Sequence, residues 1–265
     1  MHLTTKALVL READYKESDK ILTLLTEQEG KLAVSARGCR KRNSPIAAGC
    51  QLLVWGEFTL YEFNGMWSVK ETAGERLFDG VRTDLEKLSL ASFLAEVTEA
   101  LAEEGRPDPG LLSLTLNCLH ALDKLSVPPA QVKTAFEWRA MALAGYEPQI
   151  ERCGVCLREQ PNEPHFHLGA GTVHCASCRD RLEEGVSMPL TVSALAALRH
   201  IVWGPRKRLL AFRLDGDGMK RLSEASEAYL LTRLERSFRT LDYYKSITYK
   251  PMVEWPLHET HERKD

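Results

Sequence analysis

The chain has no long hydrophobic run. Nowhere in its 265 residues does an apolar stretch reach the roughly 18 residues that a membrane span needs. Its first residues, Met1-His2-Leu3-Thr4-Thr5-Lys6, lack the apolar core and cleavage site of a secretory signal, so a cytosolic protein with no membrane role is expected. A strong charge imbalance is absent too. The formal net charge is −2, so any hold on nucleic acid must come from local patches. Catalytic signatures are missing. There is no G-x-x-x-x-G-K-[ST] phosphate loop, no G-x-G-x-x-G fingerprint and no G-x-S-x-G elbow. The Lys-x-Asp-Gly nucleophile of ligases that combine an OB barrel with zinc is absent as well. His258-Glu259-Thr260-His261 is one residue short of H-E-x-x-H, so its imidazoles do not fall at i and i+4. A non-enzyme is expected.

What is present is organised in two textures. Residues 1–80 read as strands: Lys6–Arg11, Lys20–Thr26, Lys31–Ala36, Leu52–Phe63 and Met66–Glu71, the last two joined by Asn64-Gly65, a strong hairpin signal. Short strands with glycine at the bends fit a small closed barrel of OB type, although the pattern alone does not separate that from an SH3-like barrel. From residue 81 the pattern turns helical. Thr83-x-x-Glu86 reads as a capping box, followed by Leu85, Leu88, Phe93, Leu94, Val97 and Leu101 at helical spacing. Further helices are expected over 111–125, from Pro128-Pro129 to the Gly145-Tyr146-Glu147-Pro148 stop, over 189–203 and over 220–240. The fold class is α+β: an OB-fold domain at 1–80, then a helical domain at 81–250 with a metal finger inserted at 151–180. A frayed tail is expected at 251–265.

That finger rests on Cys153-x-x-Cys156 and Cys175-x-x-Cys178. Each C-x-x-C turn points two thiolates at one ion, and two turns complete the four-sulfur cage that zinc takes in closed sites. One structural Zn2+ is expected. With every position filled by protein, nothing is left open for water or substrate. Paired disulfides need an oxidising compartment, a redox C-x-x-C is usually single, and an iron–sulfur cluster is chemically possible but less usual for this symmetric double pair. His165, His167 and His174 lie in the enclosed loop as bystanders or substitute ligands. Cys39, Cys50 and Cys118 are scattered and read as plain thiols.

Charge is unevenly distributed. From Gly30 to Gly56 there is no Asp or Glu, and the stretch carries Lys31, Arg37, Arg40, Lys41 and Arg42. Gly38, Asn43 and Ser44 favour an exposed loop there, and such loops border the strand-gripping face of OB barrels. The alternative is a merely solvated basic loop. Residues 84–104 are acidic, and basic residues return at 206–208 and at Arg233, Arg236 and Arg239. Spacing of three puts these last arginines on one helix face, DNA-facing or simply solvated. Trp55, Phe58, Tyr61, Phe63 and Trp67 are candidate base-stacking platforms, though barrel aromatics are more often core. Arg139, beside apolar residues on a helix, is a candidate receiver of a partner's carboxylate or an ordinary surface arginine.

The ordered segments Tyr15-Lys16-Glu17-Ser18-Asp19-Lys20, Ala36-Arg37-Gly38-Cys39-Arg40, Phe136-Glu137-Trp138-Arg139, Leu143-Ala144-Gly145-Tyr146-Glu147-Pro148, the two cysteine pairs and Arg236-Ser237-Phe238-Arg239-Thr240-Leu241 resemble the bacterial RecO family. The resemblance spans most of the chain. It implies an OB fold, a helical domain and a four-cysteine zinc finger in a cytoplasmic, nucleoid-associated protein. It also implies binding of single- and double-stranded DNA and annealing of complementary strands. RecR, and often RecF, would be partners in loading RecA onto strands coated by single-stranded DNA-binding protein, whose acidic C-terminal tail would dock on the helical domain. The family's basic loop maps onto Arg37, Arg40, Lys41 and Arg42. Two rival readings of the residues are an RNA- or ribosome-binding module and an interaction scaffold for acidic peptides.

Overall fold

The computed structural model describes residues 2–248; the tail at 251–265, with His258 and His261, lies outside the described residues. Five strands come first: β1 (His2–Tyr15), β2 (Asp19–Thr26), β3 (Gly30–Ala36), β4 (Trp55–Phe63) and β5 (Met66–Arg76). They close into a barrel of order β1-β2-β3-β5-β4, with β3 and β5 parallel and the other pairings antiparallel. This is an OB-like barrel. β1 is more than twice the length expected for it because one strand serves two partners. Its first half pairs with β4 and its second with β2, and Ala7 faces both Gly56 and Thr26. A register shift between Val9 and Arg11 bends β1 from one partner to the other, as bulges do at barrel corners.

Alternation sorts the strand residues. Val9, Leu22, Leu24, Val34, Phe58, Leu60 and Val69 fill the barrel interior. Leu8, Leu10 and Leu25 point the other way and join the helical core. The barrel's outer wall is therefore one face of a continuous core. Gly30 marks how closely the two layers meet. It sits at φ +62, and a Cβ there would lie 2.2 Å from the backbone oxygen of Arg106, so only glycine fits.

The helices are α1 (Asp79–Arg82), α2 (Leu85–Leu101), α3 (Pro109–Lys124), α4 (Pro129–Leu143), α5 (Val192–Trp203), α6 (Gly216–Leu234) and α7 (Arg239–Thr248). The start of α2 departs from the expected capping box: the cap is Asp84, whose carboxylate accepts from the Lys87 N–H, while Thr83 closes α1. Aspartate competes well for that role. Asp108 and Asp215 likewise cap α3 and α6. α4 is buried on most of its circumference, with Phe136, Glu137 and Trp138 all inaccessible. Trp138 packs edge-on against Phe166 and stacks on Tyr229.

The expected helix over 220–240 is two helices, α6 and α7. Glu235, at φ 49, takes the left-handed conformation that ends helices. The chain turns because Phe238 must reach the core, where it meets Phe93 edge-on at 5.7 Å. Arg233, Arg236 and Arg239 consequently do not share a helix face. Between α4 and α5 lies a small sheet of β6 (Pro164–His167), β7 (Thr172–Cys175) and β8 (Ser187–Pro189), in order β7-β6-β8. Among the described residues no helix is long and apolar enough to cross a membrane.

Candidate nucleic-acid interface and metal centre

The four cysteines converge. The sulfur atoms of Cys153, Cys156, Cys175 and Cys178 all lie within 4.8 Å of one another, and the seven cysteines are unbridged. The first knuckle is shaped by local bonds. Leu157 donates its N–H to the Cys153 carbonyl at 3.0 Å, and Gly154 donates to Val173 on β7 at 2.9 Å. β7 delivers Cys175, and the short 3-10 helix after it delivers Cys178. Leu157 closes the knuckle at φ 62, a conformation costly for a residue with a Cβ.

The donor set fits a metal ion. Tetrahedral bonds of about 2.3 Å set sulfurs about 3.8 Å apart, and Cys156 and Cys175 stand at 3.8 Å. Burial opposes ionising Cys153, but the N–H groups of Cys156, Cys175 and Val155 outweigh it and hold that thiol at about 6. Burial, reinforced by the neighbouring sulfurs, pushes Cys175 up to about 11 and Cys178 upward too. Gathering four thiolates here requires a cation. The loop histidines take other partners. His174 bonds the Cys175 carbonyl and Ser187, His165 bonds the Glu163 carbonyl, and His167 accepts from Ala170.

The basic segment is an exposed rim on a buried anchor. Arg37, Arg40, Lys41 and Arg42 are exposed, while Cys39, Ile46 and Cys50 turn inward and plug the barrel. Gly38 adopts φ +68 and donates its N–H to Asp19 at 2.7 Å. That bond, more than any other contact, keeps the Asp19 carboxyl below its ordinary range. Arg40 reaches the end of β1, pairing with Asp14 at 3.1 Å. The loop thus presents its cations from a fixed backbone.

Lys31, Arg236 and Arg239, remote from one another in sequence, meet in a cleft of about 610 Å³ between β1, β3, α2 and the start of α7. Arg11, Glu12, Glu96 and Glu99 share it. Nothing in the local pattern marks Arg11, on a strand among apolar residues, so sequence reasoning missed it. Arg233 is elsewhere, with its guanidinium over the Tyr229 ring at 5.0 Å.

The aromatic candidates separate cleanly. Phe58 is buried in the barrel, Trp55 and Trp67 are half-buried against core, and Tyr61 and Phe63 are exposed at the β4–β5 hairpin.

Arg139 is half-buried on α4. Its Nε donates to the Ile201 carbonyl and its Nη2 to the Gly204 carbonyl, both at 2.6 Å. These are carbonyls at the end of α5, a favourable place for a cation. Arg139 also lines a shallow pocket with Gly110, Leu114, Leu143, Arg206 and Leu209. Burial, and then Arg206, lowers its pKa, so two cations are crowded beside an apolar floor.

Two family models cover nearly all of the described chain. Residues 1–77 match "Recombination protein O N terminal" and residues 82–242 match "Recombination protein O C terminal". Among curated relatives, the DNA repair protein RecO of Acetivibrio thermocellus is 29% identical over 246 residues, covering 93% of this chain and 97% of the relative. That of Desulforudis audaxviator is 30% identical over 245 residues, covering 92% and 96%. That of Desulfitobacterium hafniense strain Y51 is 30% identical over 236 residues, covering 88% and 86%. The boundary between the two models falls at the passage from barrel to helices, and with that agreement the chain belongs to the recombination protein O (RecO) family.

Proposed function

We propose that this protein is a non-catalytic mediator of DNA repair and recombination. It binds single- and double-stranded DNA, anneals complementary strands and, with RecR and RecF, helps RecA replace single-stranded DNA-binding protein. The observation that carries the reading is the exposed basic rim of Arg37, Arg40, Lys41 and Arg42, held by the buried side chains of Cys39, Ile46 and Cys50 on an OB-like barrel.

Annealing needs two polyanions to approach. Cations on a scaffold displace condensed counterions and lower that repulsion. Contacts to phosphate leave the base edges free to pair. Arginine suits the task, since its planar fork grips phosphate and also stacks on bases. Lys31, Arg236 and Arg239 extend the positive surface beyond the loop. The acidic tail of single-stranded DNA-binding protein is assigned to the pocket of Arg139 and Arg206, whose apolar floor and paired cations match an acidic peptide with a hydrophobic element. Cys153, Cys156, Cys175 and Cys178 would hold one Zn2+. Bound there, the ion would cross-link the two knuckles and fix the small sheet against α4 and α6, with no open position for chemistry.

The test is annealing of two complementary single strands by metal-replete protein at low and high salt, without nucleotide. Fast annealing that salt suppresses is expected. No annealing, together with tight binding of an acidic peptide, would overturn the mediator reading in favour of a scaffold.

A further inference from the structure

The cleft between barrel and helices holds more than a collection of cations. Glu96 and Glu99 lie one helical turn apart on α2 and face into it. Glu99 takes Arg11, whose Nε lies 2.9 and 3.1 Å from its two carboxylate oxygens. Its backbone carbonyl accepts from Lys31 Nζ at 3.0 Å. Glu96 accepts from both the backbone N–H and the hydroxyl of Thr240, and it stands 3.7 Å from Arg236. Arg236 in turn rests over the Phe238 ring at 4.7 Å. The third acid, Glu12, is already taken by Lys20 at 2.7 Å. Against Glu96 and Glu99 stand Arg11, Lys31, Arg236 and Arg239, so the open cleft keeps a positive surplus. Arg239 is exposed and has no ion pair among the described residues.

β1 links the cleft to the loop. Arg40 is anchored to Asp14, three residues along β1 from Arg11 and so roughly 10 Å away at strand spacing. Strand alternation puts the side chains of Arg11 and Asp14 on opposite faces of β1, so the cleft is a site separate from the loop.

The geometry points to a second backbone-binding site in this cleft, for the sugar–phosphate chain of a nucleic acid, in which Glu96 and Glu99 act as tethered competitors of the phosphates. This deepens the DNA-binding reading above and rests on it. Without DNA, the two carboxylates hold Arg11 and Arg236 in place and relieve their mutual repulsion. A phosphodiester then exchanges for each carboxylate. The exchange is close to isoelectric locally, so the site binds only a ligand that also engages Lys31 and Arg239. That condition favours a chain of phosphates over a lone anion. Removing the carboxylate charges must therefore strengthen DNA binding, the opposite of what loss of a merely structural ion pair would do.

The experiment measures binding of a fluorescent single-stranded oligonucleotide across a salt series, for four variants beside the wild type. Glu96→Gln with Glu99→Gln keeps the size and one acceptor oxygen of each side chain while freeing two cations. It is expected to bind about 3- to 10-fold tighter, since each partly exposed pair competes by a few-fold, and to steepen the log–log salt slope by about 1.4. Glu183→Gln with Glu184→Gln, exposed acids near the metal finger, makes the same change in net charge elsewhere and should gain much less. Arg239→Ala should weaken binding about 3-fold and flatten the slope by about 0.7. It carries the test if the glutamine variant fails to fold, because Arg239 is exposed and anchors nothing described. Arg40→Glu with Arg42→Glu separates the two readings. If it loses binding while the Glu96/Glu99 and Arg239 variants match the wild type, the cleft proposal is overturned and the loop reading stands. If the wild type itself binds no DNA, the underlying reading fails. A gain in the distant control equal to that of Glu96→Gln/Glu99→Gln also overturns the cleft, since bulk charge would then suffice.

Discussion

The sulfur of Cys156, on one knuckle, lies 3.8 Å from that of Cys175, at the end of β7, the spacing of two ligands on one tetrahedral ion. The purified protein should carry one equivalent of zinc by elemental analysis. Cys156→Ser with Cys178→Ser should abolish it and lower the melting temperature by several degrees, because metal-binding energy is folding energy. The loss should centre on β6–β8, whose Phe166 packs against Trp138 and Tyr229. Annealing per folded molecule should persist. A variant that stays folded, loses its metal and loses annealing would show that the ion does more than hold the fold.

The basic rim gives a second expectation. Arg40→Glu with Arg42→Glu should reduce single-strand affinity at least 10-fold and flatten the salt slope by about 1.4, two phosphate contacts' worth. The fold should survive, since Cys39, Ile46 and the Gly38–Asp19 bond anchor the loop from inside. Circular dichroism and metal content check the fold, and fluorescence anisotropy checks the binding. Unaltered anisotropy in a folded variant would show the rim to be solvated only.

The cysteine pairs were readable because metal ligation imposes a spacing that few other uses of cysteine share. The barrel was readable because strand alternation and Asn64-Gly65 are local signals. What escaped was set by distant packing. The end of α6 could not be placed because Glu235 is a poor advertisement for a left-handed cap, and the cause of the turn is Phe238 docking on Phe93. The full length of β1 escaped because pairing with two partners is a property of the closed barrel. Lys31, Arg236 and Arg239 were identifiable as cations, but their meeting in one cleft is tertiary, and so is the presence of Arg11 beside them. Arg139 stood out on its apolar helix, whereas its bonds to the Ile201 and Gly204 carbonyls depend on where α5 lands.

A buried charge network joins α4, α6 and α7. Lys133 lies 2.7 Å from Glu137 and 2.9 Å from Glu227, and Glu227 also takes Lys245 at 2.6 Å. Glu137 further accepts from Ser226. Burial opposes ionising Glu227, yet Lys133 and then Lys245 outweigh it, so its carboxyl titrates below the ordinary 4.5. A lowered folded pKa means stability that is present above about 4.5 and lost as pH falls through the folded value. Glu227→Gln should therefore flatten the acid limb of a urea-denaturation stability profile below about pH 4.5. At neutral pH, Lys133→Ala should cost about 3–5 kcal/mol by leaving the inaccessible Glu137 unpaired. An acid limb identical in Glu227→Gln and wild type would show that the pair contributes nothing to pH-dependent stability.

The pocket beside α4 and α5 allows the structural role of Arg139 to be tested apart from the peptide-binding role proposed for it. Arg139 serves the fold through two backbone carbonyls, so Arg139→Ala should both destabilise the protein by about 1–3 kcal/mol and weaken an acidic peptide. Arg206 shares the pocket but is exposed on a short 3-10 turn. Arg206→Ala should leave the urea midpoint unchanged and still weaken the peptide about 5- to 10-fold, in keeping with the loss of one charge-assisted contact. The remaining affinity should fall less steeply with salt than that of the wild type. Leu114→Ala, which deepens the apolar floor without touching charge, should lower affinity and leave the salt dependence as it was. If Arg206→Ala binds the peptide as the wild type does, the acidic tail docks elsewhere, and the role of Arg139 reduces to closing the end of α5.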